Sequence, residues 1–323
     1  MRQAQSPRAG LGVAIFSAAA FSTSGTLAKS LIDAGWSPAA AVIARISVAA
    51  VILAVPASMS MRGRWSVLRR DWGMITASGL FAVAGSQLCY FNAVQHLPVG
   101  VALMIEYLGT VLVVAWIWLR HGQRPQRLTL CGSAAALAGL VLVLGVISDT
   151  HLSLVGVLWA TGAAFGLAAF FVLSSGSSHD LPPVALASTS MGIGSVVLLG
   201  LGGAGVLPMH AAFGPVAFAG HQVSWLIPVA CLSLVAAVFA YVAGITAARM
   251  LGAKLASFVG LTEVVFAVLI AWMMLGELPT AIQLAGGALI VAGIALVRID
   301  EMRPQSAPDA GLAATQPELA AHS

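Results

Sequence analysis

The stretch Leu97–Arg120, LPVGVALMIEYLGTVLVVAWIWLR, decides how this chain is read. It opens at a proline, holds one acid, Glu106, and ends in a basic loop. Between them the residues are apolar over about twenty positions, the length of a bilayer-spanning helix. The chain repeats the stretch 154 positions on, as Leu251–Met274, LGAKLASFVGLTEVVFAVLIAWMM, again with one acid, Glu263. The register continues without a gap through Trp118/Trp272, Gly122/Gly276, Pro125/Pro279, Gly132/Gly286, Gly139/Gly293 and Leu142/Leu296. Self-similarity at a fixed offset over such a length marks a duplicated unit.

Composition sets the solvent. Hydrophobic residues make up 59% of the 323, and charged residues 8%. A soluble domain carries about 25% charged residues, so this chain cannot build a water-facing surface. Apolar runs recur from residue 11 to residue 298. They are about twenty residues long and apolar all round, which fits spanning helices and not the alternating ten-residue strands of a barrel. The predicted fold is an all-α integral membrane protein. Its ten transmembrane helices fall at Leu11–Ile32, Pro38–Ser58, Trp72–Val94, Pro98–Leu119, Leu128–Ile147, Leu152–Ser174, Pro183–Leu207, Val223–Ala247, Ala253–Leu275 and Pro279–Arg298. Several begin at proline, which suits a first helical turn because its missing N–H has no partner there.

The net charge of +4 does not point to nucleic acid. With the N-terminus inside, Arg62, Arg64, Arg69, Arg70, Arg120, Arg124, Arg127 and Arg249 all fall in inner loops, and the outer loops hold no Lys or Arg. That bias places both termini on the cytoplasmic side, and a bacterial inner membrane is the expected location. Residues 1–10 are a polar cytoplasmic start. They resemble the head of a signal peptide, but the second copy needs a matching first helix, so the helix is read as uncleaved. The tail, 299–323, reads as disordered. Cys89, Cys131 and Cys231 lie in apolar spans without metal or disulfide spacing.

The first helices of the two units also align, LGVAIFSAAAF with VGVLWATGAAF, at an offset of 144. Each unit, 11–147 and 152–298, then holds five helices. An odd number inverts the second copy in the membrane. Inverted repeats are a transporter signature, with substrate near the midplane between the halves.

Three segments carry a resemblance: SPAAAVIARISVAA (Ser37–Ala50), LTEVVFAVLIAWMMLGELP (Leu261–Pro279) and GGALIVAGIALV (Gly286–Val297). With the five-plus-five repeat they resemble the drug/metabolite transporter superfamily, in its EamA-type branch. IEYLGTVLVVAW (Ile105–Trp116) is similar to the threonine/homoserine exporter subgroup, where an acid and an aromatic precede a Gly-Pro step. Here Thr110 stands for that proline, and Val264 for the usual proline after Glu263. Helices four and nine are therefore expected to be straighter than in the family. The resemblance implies a secondary transporter that handles small solutes.

Charged and polar residues inside the spans are the candidate site. Glu106 lies about eight residues into its helix, roughly 12 Å deep at 1.5 Å per residue. An acid there costs roughly 3 kcal/mol on insertion scales and faces a cavity or a partner. It reads as a proton-coupling carboxylate, a ligand for an ammonium group, or a permanently paired structural acid. Arg45, at similar depth, reads as a fork for a substrate carboxylate or as a fixed ion pair with Glu106 or Glu263. Glu263 divides evenly between coupling and a structural hydrogen bond. Lys29 and Lys254, near helix ends, read as snorkelling side chains. Gln87, Tyr90, Asn92, Tyr107, Trp159 and Tyr241 are mid-span groups with polar tips that a cavity wall would satisfy. Gly132, Gly139, Gly286, Gly287 and Gly293 read as close helix packing.

No Walker loop, dinucleotide fingerprint or nucleophile constellation is present. Neither an enzyme nor an ATP-driven pump is expected, and no cofactor is called for. The expectation is an exporter of small polar metabolites, amino acids such as threonine or homoserine foremost. It would work by alternating access, with protons as a coupling partner and with no nucleic acid involved; a homodimer stays open. A lipophilic drug exporter and an uncoupled facilitator are the alternatives.

Overall fold

The computed structural model describes residues 7–112, 119, 127–143, 153–175 and 180–302. Its elements are α1 (Pro7–Asp33), α2 (Pro38–Ser60), the short α3 (Trp65–Arg70), α4 (Trp72–His96), α5 (Val99–Glu106), α6 (Arg127–Val143), α7 (Leu154–Ser175) and α8 (Pro183–Gly203). A hairpin, β1 (Pro215–Phe218) and β2 (His221–Ser224), follows. The next rod, α9, runs through Leu226–Ser233, Leu234–Phe239 and Ala240–Gly260, and α10 (Thr262–Leu275) and α11 (Ala281–Met302) are the last described helices.

Six described helices are long and apolar enough to cross a membrane: Arg8–Asp33, Pro38–Ser60, Trp72–His96, Leu154–Ser174, Pro183–Gly203 and Leu226–Leu251. Four shorter apolar helices, Val99–Leu112, Arg127–Leu142, Thr262–Leu275 and Ala281–Leu296, accompany them. The rods bury small residues against each other and turn Val51, Phe81, Val196 and Met273 outward. In water such a surface would be one large apolar patch. Hydrocarbon is the solvent it fits.

Several sequence boundaries shift. The predicted ninth helix, Ala253–Leu275, is two pieces: α9 continues to Gly260 and the chain breaks at Leu261. The eighth does not begin at Val223, which pairs with Val216 in the hairpin. That hairpin is local β-structure in an otherwise helical chain. Ala219 and Gly220 both take positive φ, 52° and 76°, the conformation a two-residue hairpin turn requires. Residues 113–118 of the predicted fourth helix, the end predicted for the fifth, and most of the tail lie outside the described residues.

Nor are the fourth and ninth helices straight. The first breaks at Tyr107–Leu108 and the second at Leu261, positions equivalent at the 154-residue offset. At both, i→i−3 bonds take over: Leu108 N–H to Ile105 O at 3.1 Å, and Val264 N–H to Leu261 O at 3.2 Å. A threonine hydroxyl turned back on its own helix at each break, Thr110 on Tyr107 O and Thr262 on Val259 O, competes with the ladder in place of a proline.

Two further irregularities also match across the copies. α4 is π-helical over Ser78–Gly85, and α9 over Leu234–Phe239. Finally, α6 and α11 cross antiparallel through glycine. A Cβ on Gly139 would meet Gly286 O and Ile290 N, and one on Gly293 would meet Gly132 O and Ala136 N. At the 154 offset these contacts are reciprocal. Backbones this close are what the predicted glycine packing supplies.

Candidate functional site: a charged chamber between the repeats

The site is built from seven rods. On α1, Ala14, Ser17, Ala18, Phe21 and Ser24 recur at helical spacing and face one chamber. α4 adds Ser86, Gln87 and Tyr90, and α2 adds Arg45. Glu106 and Tyr107 enter at the break after α5, and Glu263 at the break before α10. Phe170 of α7 and Tyr241 of α9 close the wall. About 970 Å³ of atom-free space lies among these side chains, solvent at the open mouth included.

Arg45, 1% exposed, is its fixed cation. One guanidinium nitrogen donates to Ser24 Oγ at 2.7 Å and to Gln87 Oε1, and the other to the carbonyl of Ala236. Ala236 lies in the π-helical turn of α9. Such a turn interrupts the α ladder and frees a carbonyl for an outside donor. The guanidinium also lies 5.6 Å from the ring centroid of buried Phe91. Its Nε is buried without a hydrogen-bond partner. No carboxylate of a described residue lies within ion-pair distance, so the predicted fixed pair with Glu106 or Glu263 does not form.

Glu106 accepts from Ser86 Oγ at 3.4 Å, a long contact. Glu263 is held more closely. The Tyr107 hydroxyl stands 2.8 Å from Gly260 O and 2.9 Å from Glu263 Oε2. A phenol has one proton and cannot donate a full hydrogen bond to each of two acceptors. Both contacts are satisfied when Glu263 carries a proton and donates it to the phenol oxygen. Gln87 Nε2 donates to Tyr241 Oη at 3.3 Å. These two residues are equivalent at the 154 offset, so the chamber straddles the relation between the copies.

Of the predicted site residues, Arg45, Gln87, Tyr90, Glu106, Tyr107, Tyr241 and Glu263 converge here. Asn92 and Trp159 do not line the chamber. Asn92 Nδ2 turns back to Leu88 O at 2.7 Å, and Trp159 is half-buried in the apolar core. Sequence reading missed Ser24, Ser86, the Ala236 carbonyl, and Phe21 and Phe170, which join the predicted Tyr241 in an aromatic wall. In that wall Phe21 meets Tyr241 edge-on at 5.0 Å between centroids, and Phe170 meets it at 5.9 Å. The α1 face was visible as residues three and four apart. The Ala236 carbonyl had no signal in sequence.

Apolar rods around a buried cation and two acids are the build of a membrane transporter, in which ionisable groups at depth mark a solute or ion path. The comparisons agree. The EamA-like transporter family matches twice, over residues 8–145 and 154–299, and this chain belongs to it. A "Probable terminal-alkyne amino-acid exporter" of Streptantibioticus cattleyicolor is 28% identical over 276 residues, 81% of this chain and 84% of that one. An "Uncharacterized inner membrane transporter YicL" of Salmonella typhimurium is 23% identical over 230 residues, 69% of this chain and 73% of the relative. An "Uncharacterized transporter" of Archaeoglobus fulgidus is 27% identical over 205 residues, 64% of this chain and 69% of its own length. A crystal structure of another protein shares the fold with a TM-score of 0.62 at 20% identity, covering 91% of this chain and 98% of that one.

Proposed function

We propose that this protein is an inner-membrane secondary transporter that exports amino acids by alternating access between two inverted five-helix halves. The reciprocal glycine contacts of α6 and α11 support the inversion. An antiparallel pair that swaps equivalent residues is what a two-fold axis lying across the helices generates. The one-sided distribution of arginine supports cytoplasmic termini.

One observation carries the substrate class: Arg45 enters the chamber with no acid beside it and with Nε unpartnered, while Glu106 and Glu263 line the same space. A cation reserved for a carboxylate and acids for an ammonium group are complementary to a zwitterion. The aromatic wall then receives the side chain, and it favours an apolar one over the hydroxyls of threonine and homoserine. Proton coupling rests on both acids: Glu106, held to Ser86 by a long contact, and Glu263, whose shared phenol gains or loses a hydrogen bond with one proton.

The test is counterflow of radiolabelled leucine, threonine and homoserine into proteoliposomes, with and without a pH gradient. Saturable uptake of an amino acid supports the reading. A rate indifferent to the gradient makes the protein a facilitator. No uptake of any amino acid, with efflux of lipophilic cations instead, establishes the drug exporter that the aromatic wall would equally suit.

A further inference from the structure

Lys29 and Glu277 do not line the chamber. Lys29 has partners within the fold. Its Nζ lies 3.4 Å from Glu277 Oε1 and donates to Val94 O at 3.1 Å. The other carboxylate oxygen, Oε2, accepts from Val99 N–H at 3.0 Å. These contacts tie three places together: α1, the α4–α5 junction, and the connection from α10 to α11. The first two belong to the first copy and the third to the second.

Glu277 is aimed by the end of α10. Gly276 takes φ +72°, open to glycine at little cost, and the Glu277 N–H returns to Ala271 O at 3.4 Å. Lys29 and Glu277 side chains are 18% and 20% exposed, so solvent screens the pair only in part.

The chamber lies to one side of this cluster. Its lining continues through Ala14, Ser174, Ala247 and Gly260 toward the end of the bundle that holds the chain's N-terminus. Lys29, Val94, Leu97 and Gly156 mark the opposite end, where a Cβ on Gly156 would meet Leu97. A solute leaving by that end must part the seam between α1, α5 and α10, which the ion pair closes.

The pair is also one-sided. At the repeat offsets, Lys29 corresponds to Leu173 and Glu277 to Gln123, and these two cannot form an ion pair. We infer that Lys29 and Glu277 are an ionic latch on the end remote from the N-terminus, and that the missing counterpart biases the resting transporter toward the state closed there. The inference rests on alternating access but not on the identity of the solute.

The test uses the full chain with Cys89, Cys131 and Cys231 replaced by serine and one reporter, Leu103→Cys, in the chamber wall. A membrane-impermeant thiol reagent is applied to right-side-out and to inside-out vesicles. The unaltered latch gives labelling from the N-terminal side alone. Lys29→Gln and Glu277→Gln raise labelling from the far side about tenfold, the shift a partly buried ion pair sustains. Lys29→Arg keeps it at the starting level. If the glutamine variants fail to reach the membrane, raised salt on the far side of the latched protein must increase labelling instead. One-sided labelling that variants and salt leave unchanged overturns the latch alone. Equal labelling from both faces of the latched protein overturns alternating access as well.

Discussion

Arg45→Lys separates a binding role for Arg45 from a structural one. The guanidinium spends two nitrogens on Ser24, Gln87 and the Ala236 carbonyl, which ties α1, α4 and α9 together. Its third nitrogen, Nε, is left over. Lysine keeps the charge and can replace part of the cross-link, but its donors radiate from one point and cannot serve three helices and a solute together. A hydrogen bond to a charged group contributes about 1.5–3 kcal/mol. At 1.4 kcal/mol per decade, its loss weakens amino-acid binding about 10- to 150-fold. The assay is the amino-acid-dependent rise in melting temperature of the purified protein in detergent, titrated for both forms, with the ligand-free melting temperature as the control for folding. A lysine variant that binds within about twofold of the wild type refutes the reasoning. Arg45 would then be a cross-link only.

Glu106→Gln keeps the side chain's shape and its contact with Ser86 but cannot carry a proton in exchange. Gradient-driven uptake should fall at least about tenfold while counterflow without a gradient persists; loss of both would mark Glu106 as a ligand. Phe21→Ala removes the edge-on contact with Tyr241, a pair worth about 0.5–1.5 kcal/mol, and should weaken leucine about 2- to 13-fold while leaving threonine unchanged in competition counterflow. Gly139→Ala and Gly293→Ala each force a Cβ against the facing backbone. Both should cost about 1–3 kcal/mol and by similar amounts, read as melting temperature; a loss confined to one would break the two-fold relation.

The membrane class and the duplication are written in the chain, because hydropathy and self-similarity are properties of local sequence. So is the depth of Glu106 and Arg45, which follows from counting residues along a rod. Part of the site was legible as well. Ser17, Phe21 and Ser24 keep helical spacing on α1, a face that small residues made easy to overlook. The breaks at Tyr107 and Leu261 were not legible, since the prolines that would announce them are absent. Packing and back-bonded threonines make them instead: Gly109 lies so near Ala164 that a Cβ would meet its carbonyl.

Sequence alone therefore determined a duplicated, membrane-embedded bundle with charges buried at mid-span. Only the tertiary structure decided which charge meets which partner. Arg45 finds hydroxyl, amide and carbonyl oxygens in place of an acid, and Lys29, near a helix end, finds Glu277 from the other copy. The reason is range. Hydropathy acts over a whole span, whereas a hydrogen bond or ion pair is made or lost within an ångström, and that spacing is set by how the rods pack.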